Sequence, residues 1–161
     1  MKVIDIVNDS TVLSAYEDEQ YSHTLLTDSN DTLLNVITTH EATDNYGMEW
    51  RDFHGEGFDV LLLKGDLTLN TIQTIDADWD EPHVLNRDLT SGVLRTVAVP
   101  PQCWVRVPEH LDVSLAWGKD TTFLTTGDSP MRECDVAAED IYAGQKPALM
   151  RLLEEYDKIN N

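Results

Sequence analysis

Apolar and β-branched residues fall along this chain in short runs, parted by Gly, Pro, Asn and Asp, and the runs mostly show the two-residue period of strands. The organising stretch is Leu94–Trp117. It predicts a strand, a corner at Pro100-Pro101, a second strand with Pro108 behind it, and a third. Paired prolines fix φ and remove two donors, so such a corner needs little help from elsewhere. Phe58–Lys64 (FDVLLLK) is the strongest strand of the first half, closed by Gly65-Asp66. Leu67–Ile75 (LTLNTIQTI) alternates and is expected to pair with it as a hairpin through that turn. Thr32–Thr39 and Thr121–Thr126 read as further strands, the latter closed by Gly127-Asp128. Near the start, Val3, Asp5 and Val7 alternate with Ile4 and Ile6, which predicts a short strand ending at Asn8-Asp9-Ser10. Tyr16–His23 is polar and reads as a loop or edge, and Glu41–Gly47 as a loop. Met48–His54 is short and aromatic, Asp76–Pro82 is an acidic loop, Val84–Leu89 fits neither period, and Ser91-Gly92 is a turn.

From Met131 the period changes. Asp135–Ala143 is helical in flavour, and Pro147 is placed for the first turn of a final helix. Leu149, Met150, Leu152, Leu153, Tyr156 and Ile159 then recur at helical spacing, the stripe of a helix packed outside a sheet. Short strands broken by turns about every ten residues, followed by one helix, predict an all-β sandwich or small barrel with a C-terminal α-helix. With 161 residues the chain is expected to be one domain: N-terminal strands over 1–44, a barrel core over 45–126 and a helical segment over 131–161.

Charge sharpens this picture. Thirty carboxylates face eleven Lys and Arg, a formal net charge of −19. Such a surface repels nucleic acid and anionic membrane and attracts cations and basic proteins. Adaptation to high salt, mimicry of a nucleic-acid backbone and plain solubility each account for it. The spread of carboxylates among good strand patterns suits the first and third. Cys103 and Cys134 form no CxxC pair, so two reduced thiols are expected, Cys103 as a small buried residue. Neither a signal-peptide run nor a membrane-length apolar segment is present in the sequence, and the expected compartment is the cytoplasm.

Candidate chemistry is sparse. Arg51 and His54 in WRDFHGEGFD precede the strongest strand and are placed for a barrel mouth, as an anion holder and a general base. His54, Glu56 and Asp59 form an H-x-E-x-x-D cluster suited at most to weak binding of a divalent cation. Asp76, Asp78 and Asp80 open like a calcium loop, but Glu81 stands where Gly is needed and Arg87 where the closing Glu belongs. No phosphate-binding glycine loop, G-x-S-x-G or H-E-x-x-H is present, and no metal or cofactor is expected.

Two segments carry a resemblance. VPPQCWVRV resembles the second conserved box of the cupins, and RDFHGEGFDVLLLKGDLTL resembles the first. The Arg-x-x-His entry is similar to that of the dTDP-4-dehydrorhamnose 3,5-epimerases and dTDP-sugar 3,4-ketoisomerases. The resemblance spans residues 45–126 and implies a double-stranded β-helix, or jelly-roll barrel, with His54 as catalytic base. Departures accompany it. Val105 stands where metal-binding cupins have a closing His, Gln102 where the turn has Gly, Glu56 where the first box repeats His, and Trp117 where the epimerases place an acid Tyr.

The function expected is binding, with isomerisation as its catalytic extension, of a small anionic ligand such as a sugar nucleotide. The ligand-binding candidates are Arg51, Lys64, Arg95, Trp104, Arg106 and Trp117, a reading that requires Arg95 and Arg106 to face inward together. The alternative is a non-enzymatic acidic interaction protein: an inhibitor, a mimic or a structural oligomer. A homodimer is expected; the cupin resemblance implies pairing by sheets, with the N-terminal strand placed to complete a neighbour's sheet under the interaction-protein reading, and a basic protein is a further partner class.

Overall fold

The computed structural model describes residues 2–46, 58–73, 93–107, 111–127 and 138–160. In chain order they form α1 (Val3–Asn8), β1 (Thr11–Glu17), β2 (Tyr21–Thr27), β3 (Leu33–Thr39), β4 (Thr43–Tyr46), β5 (Phe58–Lys64), β6 (Leu67–Gln73), β7 (Val93–Ala98), β8 (Trp104–Val107), β9 (Leu111–Trp117), β10 (Thr122–Thr126) and α2 (Ala138–Asn160). The strands make two antiparallel sheets, one ordered β1-β2-β3-β10-β5-β8 and one ordered β4-β9-β6-β7.

Alternation divides the apolar residues into two layers. Tyr21, Ile37, Phe58, Val60, Leu62, Val107 and Phe123 of the large sheet meet Leu67, Leu69, Val113, Leu115 and Trp117 of the small one, and together they form the barrel interior. On the other face of the large sheet, Leu26, Leu34, Val36, Leu61, Leu63 and Leu124 pack against Val3 and Val7 of α1 and Tyr142, Leu149 and Leu153 of α2. β5 shows why its sequence looked so apolar: both of its faces are covered, so Leu61 and Leu63 are as buried as Val60 and Leu62.

Several expectations change. Val3–Asn8 is a helix and not a strand; Val3 and Val7 are one turn apart, and that pair is the one buried. Tyr16–His23 is the hairpin of β1 and β2, and Glu41–Gly47 contains β4. Pro147 lies inside α2 rather than in its first turn. β5 and β6 are not a hairpin. Gly65-Asp66 is a corner that carries the chain from the large sheet to the small one, where β6 pairs with β7 and β9. The Pro100-Pro101 corner does the same in reverse, between β7 and β8. Cys103 is exposed beside that corner, its thiol 3.7 Å from Pro100 O.

Gln102 has φ 65° at that corner, a left-handed backbone that explains why a glycine suits the position. Its own side chain offsets the cost: Nε2 donates to Leu63 O at 2.9 Å, and its backbone N–H donates to Leu62 O at 2.9 Å. Gln102→Ala keeps the strain and loses the side-chain bond, so it is expected to lower the unfolding free energy by about 1 kcal/mol. Gln102→Gly exchanges one effect for the other and is expected to stay within about 0.5 kcal/mol of wild type, as read from urea midpoints.

The two rims differ. At the first, short connections at 18–20, 40–42, 65–66, 99–103 and 118–121 close the barrel. Tyr16, Tyr21, Trp117 and Phe123 stack behind them, with ring centroids 5.5 to 6.1 Å apart along the series. Thr39 Oγ1 donates to Gly118 O at 2.7 Å and accepts the Thr121 N–H at 2.9 Å, which ties the end of β3 to the β9–β10 connection. At the second rim β2, β4, β6, β8 and β10 end and β1, β3, β5, β7 and β9 begin. Of its strand-to-strand connections, only 28–32 is among the described residues; there Asp28 Oδ1 accepts the N–H groups of Asn30 and Thr32, each at 2.9 Å. No helix among the described residues is long and apolar enough to cross a membrane.

Candidate functional site

The inward rows of the large sheet turn polar toward the second rim. β2 presents Tyr21, His23 and Leu25 inward, β3 presents Ile37 and Asn35, β10 presents Phe123 and Thr125, and β1 presents Tyr16 and Ser14. His23, Asn35, Thr125 and Ser14 therefore share one wall, and each is at least nine-tenths buried.

Asn35 is the hub. Its Nδ2 donates to Gly127 O at 2.6 Å and reaches Thr125 O at 3.4 Å, while its Oδ1 lies 2.8 Å from His23 Nε2. Burial pushes the His23 imidazolium toward deprotonation, and the Asn35 hydrogen bond only partly opposes this, so its pKa lies below the usual histidine value. Ser14 Oγ, His23 Nδ1 and Thr125 Oγ1 are buried without a hydrogen-bond partner among the described residues. An unmet buried donor or acceptor costs about 1–3 kcal/mol, so several on one wall is a costly arrangement for packing alone.

Lys64, Trp104, Arg106 and Trp117, singled out from the sequence, do not gather there. Arg51, His54 and Glu56 lie outside the described residues. Lys64 is exposed at the end of β5 nearest the first rim, away from the polar wall. Trp104 is 38% exposed. Arg106 does not face inward as the anion-site reading required: β8 alternates, Val105 and Val107 take the interior side, and Arg106 Nη1 meets Asp59 Oδ1 at 3.3 Å on the other. Asp59 is thus engaged by Arg106. Among the described residues no three His, Cys, Asp or Glu side chains lie close enough together to hold a metal ion. Trp117 is buried against the first rim, where its Nε1 donates to Glu41 O at 3.0 Å. Arg95 is placed by backbone register opposite Thr71, in the β7 row that continues through Val97 and Val99. Elsewhere, Glu17, Asp18, Glu19, Gln20 and His40 line an open surface depression at the β1–β2 turn.

Neither a protein-family model nor a curated protein sequence matches the chain. Solved structures do. CapF bound to an inhibitor superposes at TM-score 0.50 with 13% identity, over 72% of this chain and 30% of that one. The chain has the cupin fold. The Drosophila melanogaster CENP-C cupin domain aligns at TM-score 0.48 with 7% identity over 71% of each chain. Hydroxypropylphosphonic acid epoxidase from S. wedmorenis aligns at 0.45 with 11% identity, over 75% of this chain and 56% of that one. At such identities the likeness extends to the fold and no further. Within it, the cupin barrel here is filled by aromatic and aliphatic side chains toward the first rim and lined by Ser14, His23, Asn35 and Thr125 toward the second.

Sequence reasoning passed over this wall. In the sequence His23 falls in a polar stretch, because Tyr21–Thr27 is buried on both faces and carries Ser22, His23 and Thr24 inside, so hydrophobic alternation is missing. One signal was available: Asn35 interrupts the apolar run LLNVI in the middle of a strand, where an amide belongs only if it is satisfied.

Proposed function

We propose that this cupin barrel binds a small molecule at its second rim. The observation that carries the reading is the buried polar wall of Ser14, His23, Asn35 and Thr125, with three polar atoms left without partners among the described residues. Buried polar groups converging among apolar side chains are a common form of ligand site. The ligand class carried forward from the sequence is a hydroxyl-rich anion such as a sugar nucleotide. Arg95 is carried forward with it as the anion-binding candidate. Isomerisation is the reaction class that reading extends to, with His54 as base. Lys64 and Arg106 are not part of it.

The test is thermal unfolding with UDP-glucose, dTDP-glucose and inorganic phosphate. A ligand at a hundred times its Kd stabilises by about 2.7 kcal/mol, which for a chain of this size raises the Tm by roughly 5–10 °C. A rise with either sugar nucleotide is the expected result, abolished by His54→Ala and kept by Glu56→Ala. A flat response to all three removes the sugar-nucleotide reading.

A second reading, self-association, is favoured by the β7–β8 side of the barrel. Both strands are sheet edges, and Val97 and Trp104 are 41% and 38% exposed there. A second copy of this chain is the partner proposed, and Trp104→Lys is expected to convert a dimer to a monomer in sedimentation equilibrium.

A further inference from the structure

The hydrogen-bonding pattern on the polar wall defines which chemistry it accepts, and the argument starts at Asn35. Gly127 O and Thr125 O can only accept, so the Asn35 group facing them, 2.6 and 3.4 Å away, is the NH2. The opposite end of the amide, turned to His23, is then the carbonyl oxygen. A carbonyl oxygen has lone pairs and no proton, so the bond of 2.8 Å requires His23 Nε2 to be the donor. Burial keeps the imidazole neutral near pH 7, with one ring proton in all. That proton sits on Nε2. His23 Nδ1 is therefore a bare lone pair, in a side chain 1% exposed, with no partner among the described residues.

The neighbouring groups complete the wall. Thr125 is opposite Asn35 in the β3–β10 ladder, and Ser14 is opposite Leu25 in the β1–β2 ladder, where Tyr16 faces His23. Both hydroxyls are buried and both lack a partner among the described residues. A hydroxyl donates and accepts; the imidazole lone pair only accepts. No Lys or Arg belongs to these inward rows of β1, β2, β3 and β10. An anionic oxygen placed here would meet the Nδ1 lone pair, and these four rows supply no cation to hold it in surroundings of low dielectric. A neutral hydroxyl meets no such penalty, since it gives its proton to Nδ1 and takes one from Ser14 or Thr125.

We infer that the Ser14–His23–Asn35–Thr125 wall binds the neutral, hydroxyl-bearing part of a ligand, a sugar ring or a polyol, through a hydrogen bond donated to His23 Nδ1, and excludes anionic groups. The inference rests on the proposal of a small-molecule site at the second rim and assigns one end of the molecule to one wall. A phosphorylated sugar would enter with its ring toward β2 and β3 and its phosphates elsewhere.

The experiment is long-range 1H–15N correlation on protein labelled at histidine nitrogen, at pH 7.5, with methyl α-D-glucopyranoside, myo-inositol, UDP-glucose and inorganic phosphate as probes. In the free protein, His23 is expected to carry its proton on Nε2 and to show an unprotonated Nδ1. Each hydroxyl-bearing probe that binds is expected to move the Nδ1 resonance upfield and leave Nε2 nearly still, while phosphate alone leaves both unchanged. A free protein with the proton on Nδ1 overturns the inference, whatever binds. So does a Tm rise with UDP-glucose that leaves Nδ1 unmoved, an outcome that spares the binding site and relocates its sugar end. Movement with phosphate alone, or with none of the probes, overturns it as well. Movement with methyl glucoside, alongside no Tm response to sugar nucleotides, supports the wall and removes the nucleotide from the ligand.

Discussion

Gly65→Ala is expected to lower the unfolding free energy by about 4 kcal/mol or to prevent folding, the larger of two backbone effects that this fold allows to be separated. Gly65 has φ 92°, outside the range that side chains adopt at ease. A Cβ there would also meet Thr121, with its Cα 2.7 Å and its Cβ 2.8 Å away. Thr121 cannot retreat. Its hydroxyl accepts the Asp66 N–H at 3.1 Å and lies 2.9 Å from Gly118 O, and its N–H is held by Thr39 at 2.9 Å. The corner that passes the chain from β5 to β6 is thus pressed directly onto the turn that passes it from β9 to β10. Gly127 supplies the control: φ is 89°, yet an added Cβ would meet nothing within 4 Å. Gly127→Ala is expected to cost about 1 kcal/mol, the backbone term alone. Guanidinium unfolding of both variants checks this, and equal losses would show that the corner is not crowded.

This corner also shows why part of the fold was legible in the sequence and part was not. FDVLLLK and TFLTT declared themselves because β-branched and apolar residues in a run have few other uses, and PP-Q-C-W marked its corner because proline admits few conformations. Gly65-Asp66 was as visible, but the same dipeptide makes a hairpin or a change of sheet. What decides between them is the room beside Thr121, fifty-odd residues away, and the demand of β5 for β10 and β8 as neighbours. α1 was misread for a similar reason. Alternation over VIDIVN and a four-residue spacing of Val3 and Val7 coexist in so short a run, and the apolar face of α2 selects the helix. The site was hidden more deeply. Arg51, His54, Arg95 and Arg106 stood out as charged or catalytic residue types, whereas His23 and Asn35 have meaning only as neighbours on adjacent strands.

The second large effect expected is at Asn35. Asn35→Ala removes the acceptor for His23 Nε2 and the donor for Gly127 O together, at a position with no exposed surface. Each buried group left unmet costs about 1–3 kcal/mol, so a loss of about 3 kcal/mol is expected, measured as a shift in denaturant midpoint without a change in slope. The pH dependence of stability tests the same hub without cutting it. The folded pKa of His23 is depressed, so below the ordinary histidine value of about 6.5 the unfolded chain binds the proton that the folded one refuses. Stability contributed by His23 is then present above pH 6.5 and is lost as the pH falls below it, with a slope approaching about 1.4 kcal/mol per pH unit. Asp28 has its carboxylate held low by the Thr32 N–H first and by Asn30 as well, and it acts in another window, losing its contribution only below the usual carboxylate range. Between pH 5 and 7 the slope should therefore belong largely to histidine. His23→Gln, which can still donate to Asn35, is expected to flatten it while retaining most of the stability at pH 7.5. A slope unchanged in that variant would mean that His23 takes up its second proton as readily in the fold as in the unfolded chain, and that burial does not hold it neutral below the ordinary histidine value.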